Sequence, residues 1–159
     1  MFVSEALLDI RNRTNDKDEV GMNDSELLSY LNDAIQYVSQ YMIGADAPVM
    51  VQDLLVEDEE TTSIPLPKNF IRFCGTFPAK VTGNNITLLV TPPIKLRYFA
   101  SYPTVKINDT MPFQHDQLNQ IAVRLAVIYV NNQEELNVQQ DQGILTEINN
   151  SIIAALKRG

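Results

Sequence analysis

The sequence predicts an α+β fold, mainly helical, in which two N-terminal and two C-terminal helices form a four-helix core and a small antiparallel β module is inserted between them. Three observations carry that reading. The stretch Gln117–Asn132, QLNQIAVRLAVIYVNN, is apolar nearly all round, with only Arg124 interrupting the run from Ile121 to Val130. Such a helix needs cover on several sides, and at roughly 16 residues with polar ends it is too short to span a bilayer. Stripes at helical spacing stand on either side of it in the chain, over about 24–43 and 138–157. Between Pro48 and Pro103 the period changes to short runs separated by Gly, Pro and Asn, which are hairpin signals.

Taken in order, a first helix spans about 4–13, with Ser4 as its cap, Glu5 in the first turn, and Leu7, Leu8 and Ile10 apolar. Thr14–Asp24 is a polar, acid-rich linker that lacks the Gly and closing Glu of a calcium loop. The second helix begins with Asp24 or Ser25 as cap and carries the stripe Leu27, Leu28, Leu31, Ala34, Ile35, Val38, Tyr41 and Met42, with Gly44 as its stop. It is the expected partner of the central helix. Of Tyr30, Tyr37 and Tyr41 at least one falls off the stripe and is available for a partner surface.

The β module, about 48–103, reads as Val49–Glu57, a turn at DEETT, a return at SIPLP, then Asn69–Val81, Ile86–Val90 and Ile94–Tyr102. Gly83-Asn84-Asn85 marks a turn. Pro65, Pro67, Pro78, Pro92 and Pro93 belong at strand ends, edges or bulges, because proline cannot donate to a ladder. Phe113 precedes a cap at Gln114 or Asp116 and packs on the third helix, about 116–132. After the polar turn NNQEELN, the last helix, about 138–157, presents Ile144, Leu145, Ile148, Ile152, Ala155 and Leu156, with Gly143 weakening its first half.

The 159 residues suit one domain, 1–159, with a sizeable core. Twenty acidic against twelve basic residues give a net charge of −8, which argues against coating DNA by phosphate neutralisation but not against surrounding it. The basic residues are scattered and form no stripe with interleaved aromatics. The single cysteine, Cys74, between Phe73 and Phe77, is expected to be a buried thiol, and one cysteine excludes an intrachain disulfide. The single histidine, His115, beside Asp116 and flanked by Gln114 and Gln117, reads as a polar first-turn residue rather than part of a catalytic triad or a metal site. The start, MFVSEALLDIRNR, lacks the basic head and long apolar core of a secretory signal, so assembly in the cytosol is expected. No nucleophile elbow, P-loop, dinucleotide fingerprint or zinc-protease motif occurs, and neither catalysis nor a cofactor is expected. Glu57, Asp58, Glu59 and Glu60 form an acidic run at an expected hairpin tip. The run is either a solvated tip or, repeated around an axis, a channel lining that repels nucleic acid. A glycosidase pair is disfavoured, because consecutive tip positions do not fix two carboxylates face to face.

The order LLDIRNR helix, acidic loop, ELLSYLNDAIQYV helix, β module with IPLPKNFIRF and KLRYFASYP, and final apolar helix pair resembles the head-to-tail connector (adaptor, or head-completion) proteins of tailed bacteriophages. The likeness covers nearly the whole chain. It rests on Leu27, Leu28, Tyr30, Leu31, Asn32 and Ala34, and on Leu66, Pro67, Asn69, Phe70 and Arg72. The β segment is larger than in shorter connectors. The resemblance implies a structural virion protein in the neck. It would form a homo-oligomeric ring, commonly of twelve copies, docked below the portal protein, meeting a tail or neck protein and passing DNA without specific binding or contact with a membrane. By that analogy the C-terminal segment, Leu156, Lys157, Arg158 and Gly159, is the candidate portal contact. Two alternatives stand beside it: a small protein-binding adaptor or regulatory domain using the tyrosine-bearing helix, and a hydrolase using an acid pair within Glu57–Glu60.

Overall fold

A computed structural model describes residues 1–14, 21–132 and 138–158. The middle of the expected Thr14–Asp24 linker and most of the NNQEELN turn lie outside the described residues. The chain forms two compact units, one helical (1–45 and 102–159) and one of β-structure (46–101). The mainly helical α+β architecture with an inserted β module is thus observed.

In the helical unit, α1 (Val3–Arg13), α2 (Asp24–Gly44), α3 (Asp116–Asn131) and α4 (Val138–Arg158) pack so that α3 meets each of the other three. Leu118, Ala122, Val123, Leu125 and Ala126 of α3 are buried, as a helix apolar on several faces requires. Against them lie Val3, Ala6, Leu7 and Ile10 of α1, Leu27, Leu31, Ala34, Ile35 and Val38 of α2, and Ile148 and Ile152 of α4. Arg124, the one charge in the central run, is exposed and pairs with Glu147 of α4 at 2.9 Å. Of the apolar residues Leu7, Leu8 and Ile10, Leu8 is 59% exposed, because it points away from the single face shared by Val3, Leu7 and Ile10.

The helix starts differ from expectation. Ser4 lies inside α1; Phe2 holds the cap position, and the Glu5 carboxylate accepts its N–H at 2.7 Å. At α2 the cap is Asn23, not Asp24 or Ser25. Asn23 Oδ1 accepts from Glu26 N at 2.9 Å and Glu26 Oε2 accepts from Asn23 N at 3.3 Å, a reciprocal box that satisfies two donors at once. At α3 the cap position belongs to His115 rather than Gln114 or Asp116. Gly44 ends α2, but the left-handed residue that turns the chain is Asp46, at φ 57°.

In the β unit, β1 (Val51–Val56), β6 (Ile94–Ala100) and β3 (Phe70–Phe73) form one antiparallel sheet in the order β1-β6-β3. A second sheet, β2-β5-β4, joins β2 (Ser63–Pro65), β5 (Asn85–Leu88) and β4 (Ala79–Thr82). Leu96 and Val56 of the first sheet and Ile86 and Leu88 of the second share one core, with Ile64, Phe70, Phe73 and Phe77 packed against it. Full burial of side chains such as Leu96 and Ile86 contributes about 2–3 kcal/mol each. The β4–β5 turn is the two-residue loop Gly83–Asn84, closed by the Thr82 and Asn85 pair, with Gly83 at φ 60°. Pro65 lies in the edge strand β2, and the other prolines of the unit fall outside strands.

Two strand expectations are corrected. The run from β1 through DEETT to β2 is not a hairpin, since β1 pairs with β6 and β2 with β5, so the connection crosses between sheets. The run Asn69–Val81 is two strands in different sheets, broken at Gly75, whose φ of 109° favours glycine. In β3 the pairing passes from Phe70 opposite Ala100 to Arg72 opposite Phe99, so Ile71 is a bulged extra residue. That extra residue brings Phe70 and Phe73, three apart in sequence, onto the same face, where their rings meet edge to face at 5.3 Å.

Candidate functional site

Glu57, Asp58, Glu59 and Glu60 are all exposed in the connection that leaves β1 for the second sheet. The Asp58 carboxylate accepts Glu60 N–H at 3.0 Å and its carbonyl accepts Thr61 N–H at 3.0 Å, which shapes a tight turn. None of the four pairs with a cation among the described residues. No group of three metal-ligating side chains occurs among the described residues either.

The cations of this unit gather elsewhere. On the outer face of the β1-β6-β3 sheet, Asp53 of β1 stands opposite Arg97 of β6. Its carboxylate accepts from Arg97 Nε at 3.0 Å and lies 3.5 Å from Lys95 Nζ. Farther along, the Arg72 guanidinium lies 4.3 Å above the ring of Phe99, which is 2% exposed, and its Nη2 meets Asp46 Oδ1 at 2.6 Å. An aromatic floor under a guanidinium fixes its plane, and the edge of Arg72 meets the Asp46 carboxylate. Val51, Cys74 and Gly75 complete this shallow cleft of about 540 Å³. Cys74 is therefore half-buried at a cleft wall, not enclosed in the core. Phe73 faces the core, and the alternation of a strand turns its neighbour the other way.

Of the candidate C-terminal contact, Leu156 is half-buried on α4 and Lys157 is exposed. The side chain of Arg158 and all of Gly159 lie outside the described residues. His115 is exposed and makes no side-chain cap; its carbonyl accepts from Leu118 N at 3.0 Å and from Asn119 N at 3.4 Å. The tyrosines of α2 are half-buried. Tyr37 stacks on Tyr41, with ring centroids 6.4 Å apart, and its hydroxyl donates to Asn149 Oδ1 at 2.8 Å, tying α2 to α4. Tyr129 on α3 is pushed up to about 12 by burial first, and then by its neighbours Tyr37 and Asp33.

Sequence reading used Asn32 only for the family resemblance and gave no role to Asn119 or Gln36, yet all three are positioning residues. Asn32 and Asn119 each exchange two hydrogen bonds with a backbone, Val105 and Phe113 respectively. Gln36 Nε2 donates to the Tyr102 carbonyl at 2.7 Å. Asn32 and Gln36 lie four apart on one side of α2, a polar pair at helical spacing beside the apolar stripe. That spacing was the available signal.

No known family model matches the sequence, and no curated protein matches it. Functional interpretation therefore rests on the surfaces of the two units. Nine large apolar side chains stay exposed among the described residues, and six of them, Val49, Leu55, Ile71, Val81, Leu89 and Val90, belong to the β unit. No helix among the described residues is long and apolar enough to cross a membrane.

Proposed function

We propose that this chain is a structural subunit of the neck of a tailed phage, repeated in a ring below the portal and continuing the DNA channel toward the tail. The observation that carries the reading is the division of labour between the units. The helical unit closes an apolar core around α3, while the smaller β unit keeps six large apolar side chains at its surface. Large apolar side chains left at the surface of that unit give a partner protein apolar area to cover. The order of elements and the connector-like positions around Asn32 and Phe70 point the same way. The net charge of −8 suits a wall that does not grip DNA.

The test is co-sedimentation of the purified chain with a purified phage portal ring, followed by symmetry-averaged negative-stain imaging. The expected result is a stoichiometric complex with an added ring of density. A chain that stays at the top of the gradient at every ratio overturns the reading and favours the small protein-binding adaptor.

A further inference from the structure

The four edges of the two sheets are not alike. In an antiparallel strand the N–H and C=O of one residue point to one side and those of the next residue to the other. Cys74 N donates to the Arg97 carbonyl at 2.8 Å and Ser101 N to the Asn69 carbonyl at 3.0 Å. Arg97 therefore turns its backbone toward β3, and its neighbours Leu96 and Tyr98 turn theirs toward β1, opposite Leu54 and Gln52. Asp53 and Leu55 are left with N–H and C=O pointing out of the sheet, as is the Val51 carbonyl; the Val51 N–H is taken by the Pro48 carbonyl. Among the described residues nothing meets the outward groups of Asp53 and Leu55, and Gln52, Asp53 and Leu55 are exposed. The other edges are blunted. β2 spans three residues and ends on Pro65, which has no N–H; β3 carries the bulge at Ile71; β4 spans four residues and carries Lys80. Short length, proline, bulges and lysine keep an edge from pairing. β1 spans six residues without any of these, and its one charge, Asp53, is already met by Arg97 and Lys95.

We infer that the outer edge of β1 docks the β1 edge of a second copy, the two strands running antiparallel about a two-fold axis so that two three-stranded sheets become continuous. A two-fold axis perpendicular to a sheet sets one residue of the strand opposite itself, and opposite residues share a face. With Leu54 at that centre, Asp53 of each copy stands opposite Leu55 of the other. Each of these two pairs exchanges two backbone hydrogen bonds, about four in all, and they use the groups that a single copy leaves idle. Centring on Asp53 instead sets two carboxylates opposite one another, which is unfavourable. The Leu54 centre places two leucines side by side on the face that packs against Val56, Ile86, Leu88 and Leu96, so the rim of one core covers the rim of the other. One strand pair is smaller than a standard interface, so the two copies associate reversibly and the pair grows with concentration. The contact is closed and isologous, and it does not rest on the neck reading; in a ring the lateral contacts fall to other surfaces.

Leu55→Pro tests the contact, because it deletes an N–H that points out of the sheet and leaves every β1–β6 bond in place. In sedimentation equilibrium the full-length wild-type chain is expected to climb from a mean mass of 17.9 kDa toward twice that value as concentration rises. The proline variant should stay at one copy. Cross-linking guards against a folding defect. In a Cys74→Ser background, Leu54→Cys puts one thiol of each copy at the two-fold centre. A pair at that position has its Cα atoms about 4.5 Å apart, within reach of a disulfide. Mild oxidation should give a dimer band with no ladder above it. The band should form roughly tenfold faster than in Gln52→Cys, whose two copies lie about four residue steps, roughly 13 Å, apart along the strands. A wild-type chain that stays at one copy up to about 1 mM overturns the inference and leaves the edge to a strand of another protein. Association of Leu55→Pro at the wild-type level, or equal cross-linking of Leu54→Cys and Gln52→Cys, also overturns it. No portal ring enters these measurements, so the neck reading stands or falls separately.

Discussion

Asn32 and Val105 exchange two hydrogen bonds: the Asn32 amide nitrogen donates to the Val105 carbonyl at 3.1 Å, and the Val105 N–H donates to Asn32 Oδ1 at 2.7 Å. The side chain of a helix thus stands in for a neighbouring strand, completing the backbone of a buried connector residue. Asn32→Ala leaves both backbone groups without a partner and should cost about 2 kcal/mol, since an unmet buried donor or acceptor costs roughly 1–3 kcal/mol. For a chain of this length that is a fall in melting temperature of roughly 4–8 °C. Asn32→Asp keeps the acceptor but sets a carboxylate against the carbonyl, and should be at least as costly. Calorimetry of the three proteins decides it.

Arg11 is 3% exposed; its Nη1 donates to the Met22 carbonyl at 2.8 Å and its Nη2 to Asp24 Oδ1 at 2.8 Å. One planar group therefore joins α1 to the start of α2. Arg11→Lys keeps the charge but not the two-pronged geometry, so it should recover only part of the stability lost in Arg11→Ala. The alanine variant should lose about 2 kcal/mol, less than the roughly 3–5 kcal/mol of a fully buried pair, because Asp24 remains half in water. Urea unfolding midpoints at unchanged slope give the comparison.

Alkaline pH should weaken the helical unit through Tyr129. Burial raises its phenol from the ordinary 10.0 to about 12, with Tyr37 and Asp33 adding to the shift. The folded chain holds this proton more tightly than the unfolded chain. The stabilisation is therefore complete below pH 10.0 and is lost as pH climbs toward about 12. Burial also raises Tyr102. Tyr129→Phe should flatten most of the alkaline decline and leave the smaller part due to Tyr102. Unfolding midpoints between neutral and strongly alkaline pH test this, and an unchanged decline in Tyr129→Phe refutes it.

The bulge at Ile71 makes an unusual expectation. Removing Ile71 leaves Phe70, Arg72 and Phe73 as a regular strand opposite Ala100, Phe99 and Tyr98, with both phenylalanines still facing the core. The deletion should therefore cost no more than about 1 kcal/mol. Inserting one alanine between Arg72 and Phe73 turns Phe73 out of the core and should cost about 3 kcal/mol or more, near the price of removing a buried phenylalanine. Thermal melts of the two variants should differ accordingly.

The helices were legible because their stripes are local. Leu27, Leu31, Ala34, Ile35, Val38 and Met42 announce one buried face whatever α2 packs against. Their exact starts were not, because Asn23, Asp24 and Ser25 are all good caps. The choice fell to Asn23 through its partner Glu26 three positions on. The β unit was legible as strands but not as sheets. Val51–Val56 pairs with Ile94–Ala100 across most of the module, and no short-range pattern specifies that partner over the nearer Ser63–Pro65. The acidic run was visible in sequence, whereas the cationic cleft was not. Arg72 and Arg97 are brought to one face by strand pairing, and Asp46 joins them from the other end of the unit.

Val51 and Phe99, near the two ends of the β unit, stand opposite one another on adjacent strands. The strand entered first and the strand left last are therefore neighbours, and the module begins and ends at one place. Insertions or trims in the loops between them can reshape its surface during descent without moving the two points at which its own chain starts and stops.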